Sequence, residues 1–374
     1  DVVLLERSEL TSGSTWHAAG GMHTINGDPN VAKLQKYTVE LYKEIEEYSG
    51  QDIGLHMTSG LMLAATKERF DWMKSLLAKG KYANGEATLI SAQEAYEMMP
   101  LLDPKQFVGA VFDPHEGHLD PYGTTHAYAK SAKKNGAEIY LHTKVEDLVQ
   151  LEDGTWRVIT DKGEIRAEHV VNAAGLWARE VGRMVGLELP VLAMEHMYLI
   201  TEDMPEVIEF NKTTGKELMH CVDFDGEIYI RQERNGMLMG TYEKACKPWS
   251  EDETPWSFGH ELLAPDLERI APSLEVGFKH FPAFQNAGIR QIINGQTVIQ
   301  RALEMEGQLL QTVHRHQGGH RRQAAIPGLE LWPVPHVGKQ YFVGEFGKFL
   351  RVAVWAVRPF DCRCTHVYFL GDRR

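Results

Sequence analysis

Three groups of residues have the types and spacing to do chemistry. The first is Glu6, which with Arg7 closes the apolar run Val2-Val3-Leu4-Leu5. An acid at a strand end holds ribose hydroxyls in dinucleotide folds, although any strand can end in a solvated carboxylate. The second is the loop over residues 11–24, in which Gly13, Ser14, Thr15, Trp16, His17, Ala18, Ala19, Gly20 and Gly21 are mostly small. Such a loop lets backbone lie against a ligand, and Ala173-Ala174-Gly175 repeats that lack of bulk further on. The third is His196 with Tyr229 and Arg231, residues able to titrate or carry charge whose grouping rests on the resemblance given below. A histidine exchanges protons near pH 7, a tyrosine can donate to it or position it, and an arginine meets a carboxylate. By residue type alone, His196 and Tyr229 pack a sheet more readily than they catalyse. Tyr229 and Arg231 share a face only if their strand is regular.

These residues need elements to position them. Residues 1–5 read as a buried strand, and apolar residues at helical spacing predict a helix over 31–48. Strands are expected at 60–65 and 107–112, with helices at 68–77 and 92–99 between them. Asp120-Pro121 opens a helix through 134, followed by a strand at 138–142. Segments 145–151, 155–160 and 164–166 read as an antiparallel meander turned at Asp153-Gly154 and Lys162-Gly163. Residues 170–175 read as a buried strand entering a glycine turn, then a helix over 177–185. Alternation at 198–201, 228–232 and 238–242 predicts a second sheet. A short helix at 265–270, with proline in its first turn, precedes a strand at 289–293 that leads into Asn294-Gly295. This order suits an α/β (α+β) fold, a Rossmann-like domain interrupted by an antiparallel-sheet substrate domain.

Composition excludes several classes. With 43% hydrophobic and 24% charged residues, the chain of 374 is neither disordered nor low-complexity. A net charge of −13 argues against a nucleic-acid partner. No run of 18 apolar residues offers a membrane span. The 4 cysteines make no disulfide framework, and Cys362 and Cys364 lack partners at zinc spacing, so no metal is expected.

The segment Leu4-Leu5-Glu6-Arg7 through Ser14-Thr15-Trp16-His17-Ala18-Ala19-Gly20 resembles the dimethylglycine and sarcosine dehydrogenase family, FAD-dependent amine oxidoreductases of the D-amino-acid oxidase superfamily. Gly117-His118-Leu119-Asp120-Pro121-Tyr122 and the segment 170–182 resemble that family too, and the resemblance covers roughly residues 1–295. It implies FAD bonded covalently to His17, with Glu6 and Arg7 at the ribose. It implies adenine contact by the Val145 backbone, and Ala174, Gly175 and Trp177 beside the flavin. His196 and Tyr229 would face the flavin and manage the substrate amine.

The reaction implied is oxidative N-demethylation of dimethylglycine or sarcosine, by hydride transfer to flavin with release of formaldehyde. Electrons would pass to an electron-transferring flavoprotein or to oxygen. Tetrahydrofolate would bind only a C-terminal module absent from these residues. The implied location is the cytoplasm of a bacterium or the mitochondrial matrix of a eukaryote. The alternatives are a non-catalytic regulatory relative of the same architecture and an oxygen-using amine oxidase. The presence of His17 in S-T-W-H favours the enzyme.

The resemblance places the FAD-binding part at 1–50, 116–190 and 285–350, and the substrate part at 51–115 and 191–284. The first βα unit, which carries G-x-G-x-x-G, is expected ahead of Asp1, so the 374 residues alone should bind FAD poorly. From Gln296 the family pattern breaks up. Residues 296–374 carry 11 Lys and Arg against 6 Asp and Glu, and fragments such as Ile326-Pro327-Gly328-Leu329 are separated by unrelated text. That is the pattern left by a shifted reading frame. A genuine basic, histidine-rich segment is the rival reading.

Overall fold

The computed structural model describes residues 1–80, 86–242 and 246–298, with the backbone of 366–369. Strand β1 (Val2–Leu5) buries Val3 and Leu5. The segment expected as plain loop contains a 3-10 turn (Thr15–His17) and β2 (Gly21–Met22). Helix α1 (Pro29–Ser49) starts where the Asp28 carboxylate accepts the Asn30 and Val31 N–H groups, and stops at Gly50 with φ 68°. Then come β3 (Gly60–Ala64), α2 (Lys67–Gly80), β4 (Thr88–Ser91), α3 (Ala92–Met98), β5 (Gly109–Asp113) and β6 (Gly117–His118). Helix α4 (Pro121–Lys134) is capped by Asp120, which accepts from Tyr122 and Gly123.

Strand β7 (Glu138–Tyr140) and the meander β8 (Val145–Gln150), β9 (Trp156–Thr160) and β10 (Gly163–Ala167) lie close to their expected positions. Strand β11 (His169–Val171) is shorter than expected, and Val170 and Val171 are half-buried rather than buried. A 3-10 turn (Gly175–Trp177) separates it from α5 (Ala178–Arg183), so that helix begins after Trp177 and ends before Val185. Next come β12 (Ala193–Thr201), α6 (Pro205–Thr214), β13 (His220–Asp223), β14 (Ile228–Glu233), β15 (Gly236–Thr241) and β16 (Pro248–Ser250).

Helix α7 (Leu267–His280) corrects the short helix expected at 265–270. Pro265 lies ahead of its N-cap Asp266, and the helix runs through Pro272 at the cost of one backbone hydrogen bond. Strand β17 (Ile289–Val298) does not turn at Asn294-Gly295, because it pairs antiparallel with β12 on both sides of that dipeptide, with one irregularity at Arg290. The fold therefore continues past the expected break at Gln296. Strand β18 (His366–Phe369) also lies in the expected tail, and the rest of the tail lies outside the described residues.

The parallel sheet has the order β11-β18-β1-β7, and the meander forms a separate three-stranded sheet. The large sheet runs β16-β12-β15-β14-β13-β3-β5-β4, with β17 also pairing β12. Residues 289–298 thus join the large sheet, whereas the sequence grouped them with the FAD-binding part. The main core lies beneath this sheet. Leu61, Leu63, Met197, Ile230 and Met239 pack there with Ile270 and Phe281. A second cluster joins Val3 and Leu5 of β1 to Val145, Ala174, Leu176 and Trp177. Among the described residues, no helix is long and apolar enough to cross a membrane.

Candidate functional site

Ligands bind open parallel sheets beyond the carboxyl ends of the strands. Glu6 sits there, 6% exposed at the end of β1, and accepts the Ser8 N–H at 2.7 Å. Burial pushes its carboxyl up from 4.5 to about 7, against the Ser8 hydrogen bond and the Arg7 charge. The folded state therefore binds this proton more tightly than the unfolded chain. Its stabilising contribution is full below about pH 4.5 and is lost as pH rises through about 7. Without FAD, Glu6→Gln should melt above the wild type at about pH 8, by up to about 3 kcal/mol, and match it near pH 4. Thermal melts across that range check this, and equal stability at the alkaline end would refute it.

Arg7 is already engaged. Its guanidinium lies 4.0 Å over the Trp177 ring and donates to the carbonyls of Trp256 (2.9 Å) and Phe258. The Trp177 indole in turn donates to Pro255 at 3.1 Å. Arg7 and Trp177 therefore fasten the end of β1 to the segment 255–258. Val145 and Ala174 are buried in the cluster beneath them, and Gly175 turns the chain with φ 51°.

Gly13 and Ser14 lead into the turn that carries Thr15, Trp16 and His17. The imidazole of His17 is buried and rests against Gly295, where a Cβ would come within 2.1 Å of it. Trp16 meets it edge-on at 5.2 Å. The large sheet grips this loop by its backbone. The Tyr198 hydroxyl donates to the His17 carbonyl at 2.8 Å, and Arg231 Nε donates to the Ala19 carbonyl at 2.7 Å. Ala18 follows the turn in extended conformation, and Gly20 (φ 72°) packs so closely on the Leu119 carbonyl that no side chain fits. Gly21 then pairs with His118.

His196 lies opposite Gly295 in the β12–β17 register. Its Nε2 is 3.3 Å from the Tyr229 hydroxyl, both side chains are buried, and Tyr242 flanks them. The Tyr229 ring rests on Gly240, where a Cβ would overlap it. Strand β14 is regular, so Tyr229 and Arg231 do share a face. Arg231, however, also donates to Gln232 and Glu233, so it serves as an anchor for the loop rather than a free cation. Sequence reasoning missed Gly295 and the clamp formed by Tyr198 and Arg231. Only strand pairing brings them to the loop.

These residues fit FAD on two observations. Trp16 has a buried indole N–H with no hydrogen-bond partner among the described residues, a donor awaiting an acceptor. Glu6 is a carboxyl buried at the carboxyl end of a parallel strand, where this kind of sheet takes its ligand, and burial outweighs its neighbouring charges.

Dimethylglycine dehydrogenase of Rattus norvegicus, a mitochondrial protein, is 38% identical over 331 residues, covering 87% of this chain and 38% of that protein. Mitochondrial sarcosine dehydrogenase of Homo sapiens is 31% identical over 299 residues, covering 78% of this chain and 32% of that protein. The chain thus spans under two fifths of the length of these relatives. The crystal structure of L-proline dehydrogenase from P. horikoshii shares the fold, with a TM-score of 0.68 at 23% identity over 80% of this chain and 82% of that one. Residues 1–320 match the FAD dependent oxidoreductase (DAO) family, and the chain belongs to it.

Proposed function

We propose that this chain is the catalytic part of an enzyme that oxidatively demethylates a small N-methyl amino acid of the dimethylglycine or sarcosine type. The observation that carries this reading is the register that sets His196 opposite Gly295, the residue on which His17 rests. One strand pair thus holds the proposed flavin attachment point beside the His196–Tyr229 pair. When bound, FAD supplies the hydride acceptor. Glu6 would hold the ribose, and residues 13–21 the flavin edge. The neutral amine is the reactive form, because its lone pair assists loss of hydride from the methyl carbon. The Tyr229 hydroxyl would take the ammonium proton as it passes its own to His196 Nε2, so the pair acts as one relay. Burial of both side chains excludes water from that transfer.

The acceptor would be an electron-transferring flavoprotein or oxygen. The relatives are named as mitochondrial proteins, and the location proposed here is the mitochondrial matrix in a eukaryote or the cytoplasm in a bacterium.

The test uses the chain extended ahead of Asp1 by a strand–G-x-G-x-x-G unit and loaded with FAD. Anaerobic dimethylglycine or sarcosine is expected to bleach the flavin and release formaldehyde. His196→Ala should slow bleaching by about 10²-fold or more. A loaded protein that neither substrate bleaches would refute the reading.

A further inference from the structure

A second group of chemically able side chains lies outside the proposed amine site. His23 follows β2, Glu116 precedes β6, and His220 opens β13. One donor atom from each lies within 4.8 Å of the other two. His23 Nδ1 is 3.1 Å from Glu116 Oε1, and His220 Nδ1 is 3.8 Å from Glu116 Oε2. The imidazole centroids are 4.7 Å apart.

The backbone makes room for this convergence. Glu116 lies over Gly60, where a Cβ would come within 2.0 Å of its carboxylate, and Gly60 is the strand-register partner of His220. Gly21 gives similar clearance, since a Cβ there would lie 3.2 Å from His220 Nε2.

Protein–protein hydrogen bonding leaves the group incomplete. At 3.8 Å, the approach of His220 to Glu116 is too long for a hydrogen bond. His220 is 2% exposed, and its Nδ1 has no hydrogen-bond partner among the described residues. A buried polar atom in that state needs an explanation, and a bound ion is one. Two imidazoles and one carboxylate suit a borderline divalent metal, with water completing the coordination. Bonds of about 2.0–2.1 Å place tetrahedral donors about 3.3 Å apart, so a closure of roughly 1 Å or a little more suffices. His23 is partly exposed, which provides an entry path.

We propose that His23, Glu116 and His220 bind one zinc-class divalent ion, clamping the end of the flavin loop to the floor of the large sheet. The three ligands come from segments far apart in the chain, so the ion acts as a cross-link.

The test is titration of the metal-stripped 374-residue chain with CoCl2, followed by displacement with ZnCl2. One equivalent of Co2+ with visible d–d absorption is expected, together with a higher melting temperature. His23→Ala should bind one equivalent less than the wild type, and so should His220→Ala. Because His220 is fully buried, the partly exposed His23 decides if the His220 variant fails to fold. His56→Ala probes the neighbouring group His56, His118 and Glu217, and should bind as the wild type does. Equal binding by wild type and His23→Ala, loss in His56→Ala, or no d–d absorption would overturn the proposal.

Discussion

Replacing His17 by asparagine should abolish retention of flavin through acid precipitation. The measurement is flavin absorbance in the washed pellet, made on the chain extended by a strand–G-x-G-x-x-G unit. The unsubstituted protein should give a yellow pellet, and the variant a colourless one. The expectation rests on how firmly the ring is placed. Its imidazole is buried against Gly295 and Trp16, and Tyr198 holds its own carbonyl. A side chain fixed in this way presents one atom to one place, which a single covalent bond requires. Asparagine keeps polarity and approximate size, so the fold should persist. The effect is all-or-none because no other bond to the flavin is proposed. A colourless pellet from the unsubstituted protein would disprove the linkage.

Gly295→Ala should come close to that effect without touching the histidine. The new Cβ would stand 2.1 Å from Cε1 and 2.4 Å from Nδ1 of His17. No real contact is that short, so either the imidazole leaves its seat or β17 moves away from β12. The second route would disturb a strand paired from Ala193 to Thr201. Overpacking of this kind typically costs about 1–3 kcal/mol. The expected result is a lower melting temperature and a large loss of pellet flavin. Unchanged attachment with unchanged stability would show that the ring is not seated on Gly295.

Much of this was legible in the sequence, for local reasons. Asp28-Pro29 and Asp120-Pro121 announce α1 and α4 because a capping carboxylate and a proline at the first position are local devices. The meander was legible from its two glycine turns. Glu6 and His17 stood out by motif. What escaped depends on distant partners. Strand β4 is mostly exposed and gains its identity from β5. Strand β13 is buried along its whole length, so it shows no alternation. Asn294-Gly295 has the composition of a turn, but nine residues of β12 hold it in a strand. The cluster of His23, Glu116 and His220 escaped because its members are about a hundred residues apart in the chain and meet only through β2, β6 and β13. Arg231 was legible as a cation, but its partners on the loop were not.

The hold of Tyr198 and Arg231 on the loop has a thermodynamic consequence. Both donors belong to the large sheet, and both acceptors belong to the segment proposed to meet the flavin. Ordering that segment therefore presupposes a folded sheet, and cofactor affinity carries the sheet's folding free energy within it. By linkage, a cofactor that binds only the assembled state raises the melting point of strands it never touches. Conversely, a substitution deep beneath β12 and β14 would surface first as weaker FAD binding, well before the protein was visibly unfolded. In this chain, affinity for the cofactor is a gauge of the integrity of the large sheet.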